Sequence, residues 1–170
     1  MGVKEMILLD IGGGLGGIQH ALLAAGASEV TNVEASSAYL RAAQEESQRR
    51  NIEDQVTFIH GDFVDLAPDV PLADIVTLDR VVCCYGDMQA LVELSAEKAG
   101  KLYGLVYPRD HWLFRLLLPV ANFFIRLTRS PFRIFIHRTD DVNRILRNQG
   151  LEPHYHRNSG FWQVLVYVRK

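Results

Sequence analysis

The chain has 170 residues, 48 % of them hydrophobic and 22 % charged, with 18 Lys and Arg against 20 Asp and Glu for a net charge of −2. That length suits one domain with a real core, the composition excludes disorder and collagen-like repeats, and the acidic balance argues against a partner that is nucleic acid. The two cysteines, Cys83 and Cys84, are adjacent, which excludes a disulfide framework and points to a reducing, cytoplasmic setting; the opening Met1-Gly2-Val3-Lys4-Glu5 does not read as a signal peptide.

Short apolar runs alternate with longer amphipathic ones, the pattern of an α/β fold with a parallel sheet. Strands are predicted at about 6–11, 30–34, 55–60, 73–79 and 102–107, apolar on both faces as suits a sheet covered by helices on both sides. Helices fall between them at about 17–25, 36–50 and 87–98, the second opened by the capping residues Ser36 and Ser37. From Pro108 to Arg138 the pattern changes to apolar, aromatic and basic: six Arg, no Lys and the single acid Asp110 give this segment +5 and leave −7 for the rest. A helix over 139–149 follows, then strands at 152–157 and 161–168 about a hairpin turn at Asn158-Ser159-Gly160.

The first predicted strand runs into Asp10-Ile11-Gly12-Gly13-Gly14-Leu15-Gly16-Gly17, which opens the first helix. Glycines let the backbone turn sharply and let a ligand approach it, and the helix start offers free N–H groups. The loop alone fits two ligands. Gly12, Gly14 and Gly17 match a dinucleotide fingerprint, whereas Asp10, Gly12, Gly14 and Gly16 match the acid-first pattern that holds S-adenosylmethionine. Charge separates them, since a carboxylate at Asp10 repels a pyrophosphate and suits an ammonium or sulfonium. Glu34, closing Val30-Thr31-Asn32-Val33, stands where a carboxylate accepts both hydroxyls of a ribose, and Gly61-Asp62-Phe63 offers an acid for an adenine amino group and a ring for its face.

With these residues in this order the chain resembles the class I (Rossmann-like) S-adenosylmethionine-dependent methyltransferases, over about residues 6–168. The resemblance implies a three-layer, doubly wound, seven-stranded sheet of order 3-2-1-4-5-7-6 with strand 7 antiparallel. It implies one methyltransferase domain over 1–170, with the 108–138 segment as an insertion or lid. It places the cofactor on Asp10, Gly12, Gly13, Gly14, Gly16, Glu34, Asp62, Phe63 and Asp79, with S-adenosylhomocysteine as product. The Asn/Asp-Pro-Pro-aromatic motif of amide and adenine N-methyltransferases is absent, Leu78-Asp79-Arg80-Val81 standing there, and no Pro precedes Cys83 as a cytosine-5 enzyme needs. A small-molecule acceptor is therefore expected. Members usually carry helices ahead of the glycine loop, and here the first strand starts at about residue 6, which keeps a partner-subunit reading open beside the oxidoreductase one.

Acceptor-side candidates beyond the fourth and fifth strands are Tyr85, Tyr107, Arg109 and His137, and no histidine has metal-ligand spacing. The 112–127 stretch is too apolar for an ordinary surface helix and, broken by Arg115 and Pro119, too short for a membrane span. It reads as a buried crossover helix, as a lid whose arginines (Arg109, Arg126, Arg129, Arg133) hold an anion on an apolar substrate, or as a peripheral membrane contact. Tyr85-Gly86-Asp87-Met88, Phe132-Arg133-Ile134-Phe135-Ile136-His137 and the Phe161-Trp162 hairpin are also similar to the layout of magnesium-protoporphyrin O-methyltransferases, which implies O-methylation of an apolar, anionic acceptor.

Overall fold

The computed structural model describes residues 2–127 and 133–170. Its first half alternates strand and helix: β1 (Ile7–Ile11), α1 (Gly17–Ala24), β2 (Glu29–Glu34), α2 (Ser37–Arg49), β3 (Val56–His60), α3 (Phe63–Leu66), β4 (Ala73–Asp79), α4 (Met88–Glu97) and β5 (Ala99–Pro108). Then come α5 (Trp112–Leu127), α6 (Thr139–Asn148), β6 (Leu151–Ser159) and β7 (Trp162–Arg169). The seven strands form one sheet in the order β3-β2-β1-β4-β5-β7-β6, β1 to β5 parallel and β7 antiparallel to both neighbours, as the family resemblance implies.

Strand alternation sends successive side chains to opposite faces. Leu9, Ile11, Val76, Leu78, Tyr103, Leu105 and Tyr107 point to one face, where α3, α4 and α6 bury them through Phe63, Leu91, Val92, Val142 and Leu146. Leu8, Val30, Val56 and Ile75 point to the other, against Leu22 and Leu23 of α1. Coverage of that second face is incomplete. Over β4, β5 and β7 it leaves an apolar cleft of about 240 Å³ walled by Val3, Leu22, Ile75, Leu102, Val164 and Val166, so the expectation of helices over both whole faces holds only for its β1–β3 half.

Local chemistry explains most element ends. The Ser36 and Asp87 side chains accept the Tyr39 and Ala90 N–H groups and start α2 and α4. Asp62 does the same for Val64, giving the short α3 that the sequence reading missed because four residues carry no helical period. The hairpin turn is displaced from Asn158-Ser159-Gly160: the ladder pairs Ser159 with Trp162, leaving Gly160-Phe161 as a two-residue loop. Gly160 supplies the positive φ, +58°, that such a loop requires at its first position.

Candidate functional site

The site grows from one cross-strand row. Asn32, Asp10 and Thr77 are register neighbours on β2, β1 and β4, so they share a face, the one that α1 covers. Thr77 Oγ1 donates to Asp10 Oδ1 at 2.7 Å, and Asn32 Nδ2 donates to Gln19 Oε1 of α1 at 2.8 Å. Asp10 and Asn32 are fully buried, yet Asp10 Oδ2 and Asn32 Oδ1 have no partner among the described residues. Burial above all pushes the Asp10 carboxyl up from 3.8 to about 7; Thr77 opposes this and the charges of Asp79 and Glu34 add to it.

Above that row the β1–α1 loop turns through Gly12, Gly14 and Gly16, all at positive φ. A Cβ on Gly12 would stand 2.5 Å from Val81 Cγ2, and one on Gly13 would stand 2.7 Å from Asp10 Oδ2 and 2.5 Å from Asn32 Nδ2, so the loop lies directly on the buried polar row. A Cβ on Gly14 or Gly17 would meet nothing: here the backbone faces open space. Glu34, nine-tenths buried at the tip of β2, accepts Gly14 N–H at 3.1 Å and Ser36 N–H at 2.7 Å, one on each carboxylate oxygen. Each oxygen keeps a lone pair for a ligand hydroxyl. Asp79 continues the acidic face at the tip of β4, where Arg80, at φ +61°, holds it through two hydrogen bonds of 3.1 and 3.2 Å.

Asp62 accepts the Tyr85 hydroxyl at 3.0 Å on both oxygens, which ties the exit of β3 to that of β4. Burial first, and then Asp62, raise the Tyr85 hydroxyl to about 12, so Tyr85 orients Asp62 and is no base near neutrality. Phe63 is only 4 % exposed and belongs to the core beneath the site. Tyr107, expected on the acceptor side, is instead fully buried on the α4/α6 face, donates to Thr139 Oγ1 and has its hydroxyl raised to about 12 by burial, because its strand parity turns it inward with Tyr103 and Leu105. Arg109 leans on the hairpin, Nη1 to the Gly160 carbonyl at 3.3 Å, and lines a polar cavity with Thr139, Asp140, His156 and Gln163. His137 packs against the turn after β4, with Nε2 3.0 Å from the Val82 carbonyl. A carbonyl only accepts, so Nε2 carries the proton and Nδ1 keeps its lone pair; burial holds this imidazole below its ordinary pKa.

An apolar cavity also adjoins these tips. Phe114, Leu117, Leu118, Ile134, Ile136 and Phe161 line an open apolar cavity of about 220 Å³ between α5, the 134–136 segment and the hairpin. Arg80 lies 5.9 Å from the Trp162 ring centroid, capping the same hairpin from the β4 side. Arg129 and Phe132 lie outside the described residues. Gln19, Asn32 and Thr77 escaped the sequence reading. Their signal was a polar residue inside an otherwise apolar run, as in Val30-Thr31-Asn32-Val33 and Ile75-Val76-Thr77-Leu78. No group of three or more His, Cys, Asp or Glu among the described residues is placed to hold a metal ion.

A family model described as a methyltransferase domain matches residues 8–100. Among solved structures, magnesium protoporphyrin IX methyltransferase from Synechocystis PCC 6803 with bound SAH superposes with a TM-score of 0.80 at 22 % identity, over 99 % of this chain and 76 % of that one. An O-methyltransferase family protein from Burkholderia thailandensis gives 0.79 at 16 % identity, over 96 % and 51 % of the two chains. The putative methyltransferase in complex with the Haloferax volcanii Trm112 activator gives 0.72 at 13 %, over 97 % and 82 %. At these identities the likeness is one of fold. No curated protein matches the chain.

Proposed function

The chain belongs to the methyltransferase domain family, and from that premise we propose that it binds S-adenosylmethionine across the tips of β1, β2 and β4 and methylates an oxygen of an apolar small molecule that also bears an anionic group. The observation that carries the cofactor reading is the buried acidic pair Asp10 and Glu34 under an open glycine loop, with Asp79, held by Arg80, beside them. It suits a ligand with cationic groups and would repel a pyrophosphate. The bound cofactor supplies the electrophilic methyl group. In this reading Gly12, Gly13, Gly14 and Gly16 let the backbone approach it, Glu34 takes its ribose hydroxyls, and Asp10 and Asp79 face its amino-acid end. Asp62, held by Tyr85, takes the adenine amino group.

Much of such a displacement is alignment of the two partners. The apolar cavity under α5 gives the acceptor's body a wall of Phe114, Leu118 and Phe161, and Arg133, next in sequence to the lining Ile134, would take its anion. A carboxylate acceptor needs no base; a hydroxyl would give its proton to His137 Nδ1.

Differential scanning with S-adenosylhomocysteine, NAD and NADP tests this. At roughly a hundredfold excess over Kd, a ligand of the native state adds about 2.7 kcal/mol, equal to a rise in Tm of roughly 5–10 °C for a chain of this size. A rise with S-adenosylhomocysteine alone is expected. A rise with NAD or NADP alone would move the chain to the oxidoreductases, and no rise with any of the three would leave it a partner module.

A further inference from the structure

We propose that α5 docks the protein on an anionic lipid surface, with its outer face lying in the plane of the headgroups. Helical spacing divides this helix in two. Phe114, Leu118, Asn122 and Ile125 fall on one side. There Phe114 meets Phe161 edge-on at 4.8 Å, and Asn122 makes a pair of hydrogen bonds with the Ile134 backbone, at 2.9 and 3.0 Å. The opposite side, Trp112, Leu116, Val120, Phe123, Phe124 and Leu127, is 54–69 % exposed residue by residue. A soluble surface helix keeps charge on that side; this one puts apolar groups at these six outward positions, two of them Phe and one Trp.

Charge names the occupant. No Asp or Glu occurs between Asp110 and Asp140, so residues 108–138 carry +5 while the rest of the chain carries −7. Arg126 is exposed on the helix, and Arg138 beyond it is exposed and pairs at 3.9 Å with Asp140, the acid that ends the segment as Asp110 opens it. An anionic bilayer attracts this segment and repels the remainder, which both binds and orients the molecule. A second copy of the chain would bring a second +5 against the first. The helix is 16 residues long, and no helix among the described residues is long and apolar enough to cross a membrane, so it lies on the surface with Trp112 at one end, at the depth indole prefers.

Sedimentation with extruded vesicles decides the matter without any methyl-transfer readout. Vesicles of phosphatidylcholine with about 30 % phosphatidylglycerol should pellet the full chain, while pure phosphatidylcholine should pellet roughly tenfold less, and raising salt to about 0.5 M should remove most of the difference. Leu116→Glu with Phe123→Glu, both on the exposed side, should keep the circular dichroism spectrum and Tm and lower the partition coefficient at least about tenfold; Arg126→Glu should lower it less and only on anionic vesicles. Failure to pellet with anionic vesicles at low salt, or pelleting that the double variant leaves unchanged, overturns the proposal. So does a lipid-free dimer, seen by light scattering, that the double variant dissociates.

Discussion

Asp10 is the residue on which the site turns. Its carboxyl holds a proton up to about 7 in the folded chain, against 3.8 when exposed. Between those values the folded state binds one proton more than the unfolded one, so stability falls as pH rises through that window, by on the order of 4 kcal/mol at the top of it, and below it the effect is absent. Removing the charge should therefore help the empty protein: Asp10→Asn is expected to raise Tm at pH 8 by several degrees, at roughly 2–4 °C per kcal/mol, and to flatten the decline from pH 5 to 8. A cation above Gly13 would favour the ionised form and release the proton. Calorimetry in buffers of different ionisation enthalpy should then show proton release on S-adenosylmethionine binding near pH 6, lost in Asp10→Asn together with at least about tenfold in affinity. Unchanged affinity would remove Asp10 from the cofactor site. At this scale Asp10, Glu34 and Asp62 were readable as acids at strand ends. The inward turn of Tyr107 was not, because parity is counted from a strand start that the residue types leave uncertain by one or two positions.

The β1–α1 turn separates folding from binding. Gly12 and Gly14 have similar φ, +63° and +55°, so an added methyl strains either backbone by about 1–2 kcal/mol. Their surroundings differ: Gly12 abuts Val81 and Gly14 faces open space. Gly14→Ala should fold, with Tm lowered by only a few degrees, yet lose tenfold or more in S-adenosylhomocysteine affinity. Gly12→Ala should lose stability as well, and equal thermal scans for the two would show that Val81 yields freely. The glycine run and its place between strand and helix were visible in the residues themselves. What lay beneath it was not, since Asn32 and Thr77 reach Asp10 only through strand pairing across 22 and 67 positions.

Across the whole molecule, Arg169 near the C-terminus closes the far end of the fold. Its guanidinium donates to the carbonyls of Ala96, Ala99 and Gln149 at 2.7, 2.6 and 2.7 Å, satisfying the ends of α4 and α6 and the start of β5 together. Hydrogen bonds from a charged donor count for about 1.5–3 kcal/mol each, and they are not additive. Arg169→Met, which keeps the stem and removes the donors, should cost about 2–4 kcal/mol in urea unfolding with cofactor affinity unchanged. A loss under about 0.5 kcal/mol would mean that water replaces the guanidinium at those carbonyls.

From composition and order alone came the alternation of strand and helix, the loop with its preceding acid, and the apolar, arginine-rich character of 108–138. These are local patterns of period two and 3.6, and they survive in any fold that buries them. Only tertiary structure decided which polar groups share a face under the loop, that Phe63 and Tyr107 are core, that half of one sheet face stays open, and that α5 packs by Asn122 and turns its aromatic side outward. Those outcomes depend on contacts between residues far apart in the chain, which no window of neighbouring residues contains.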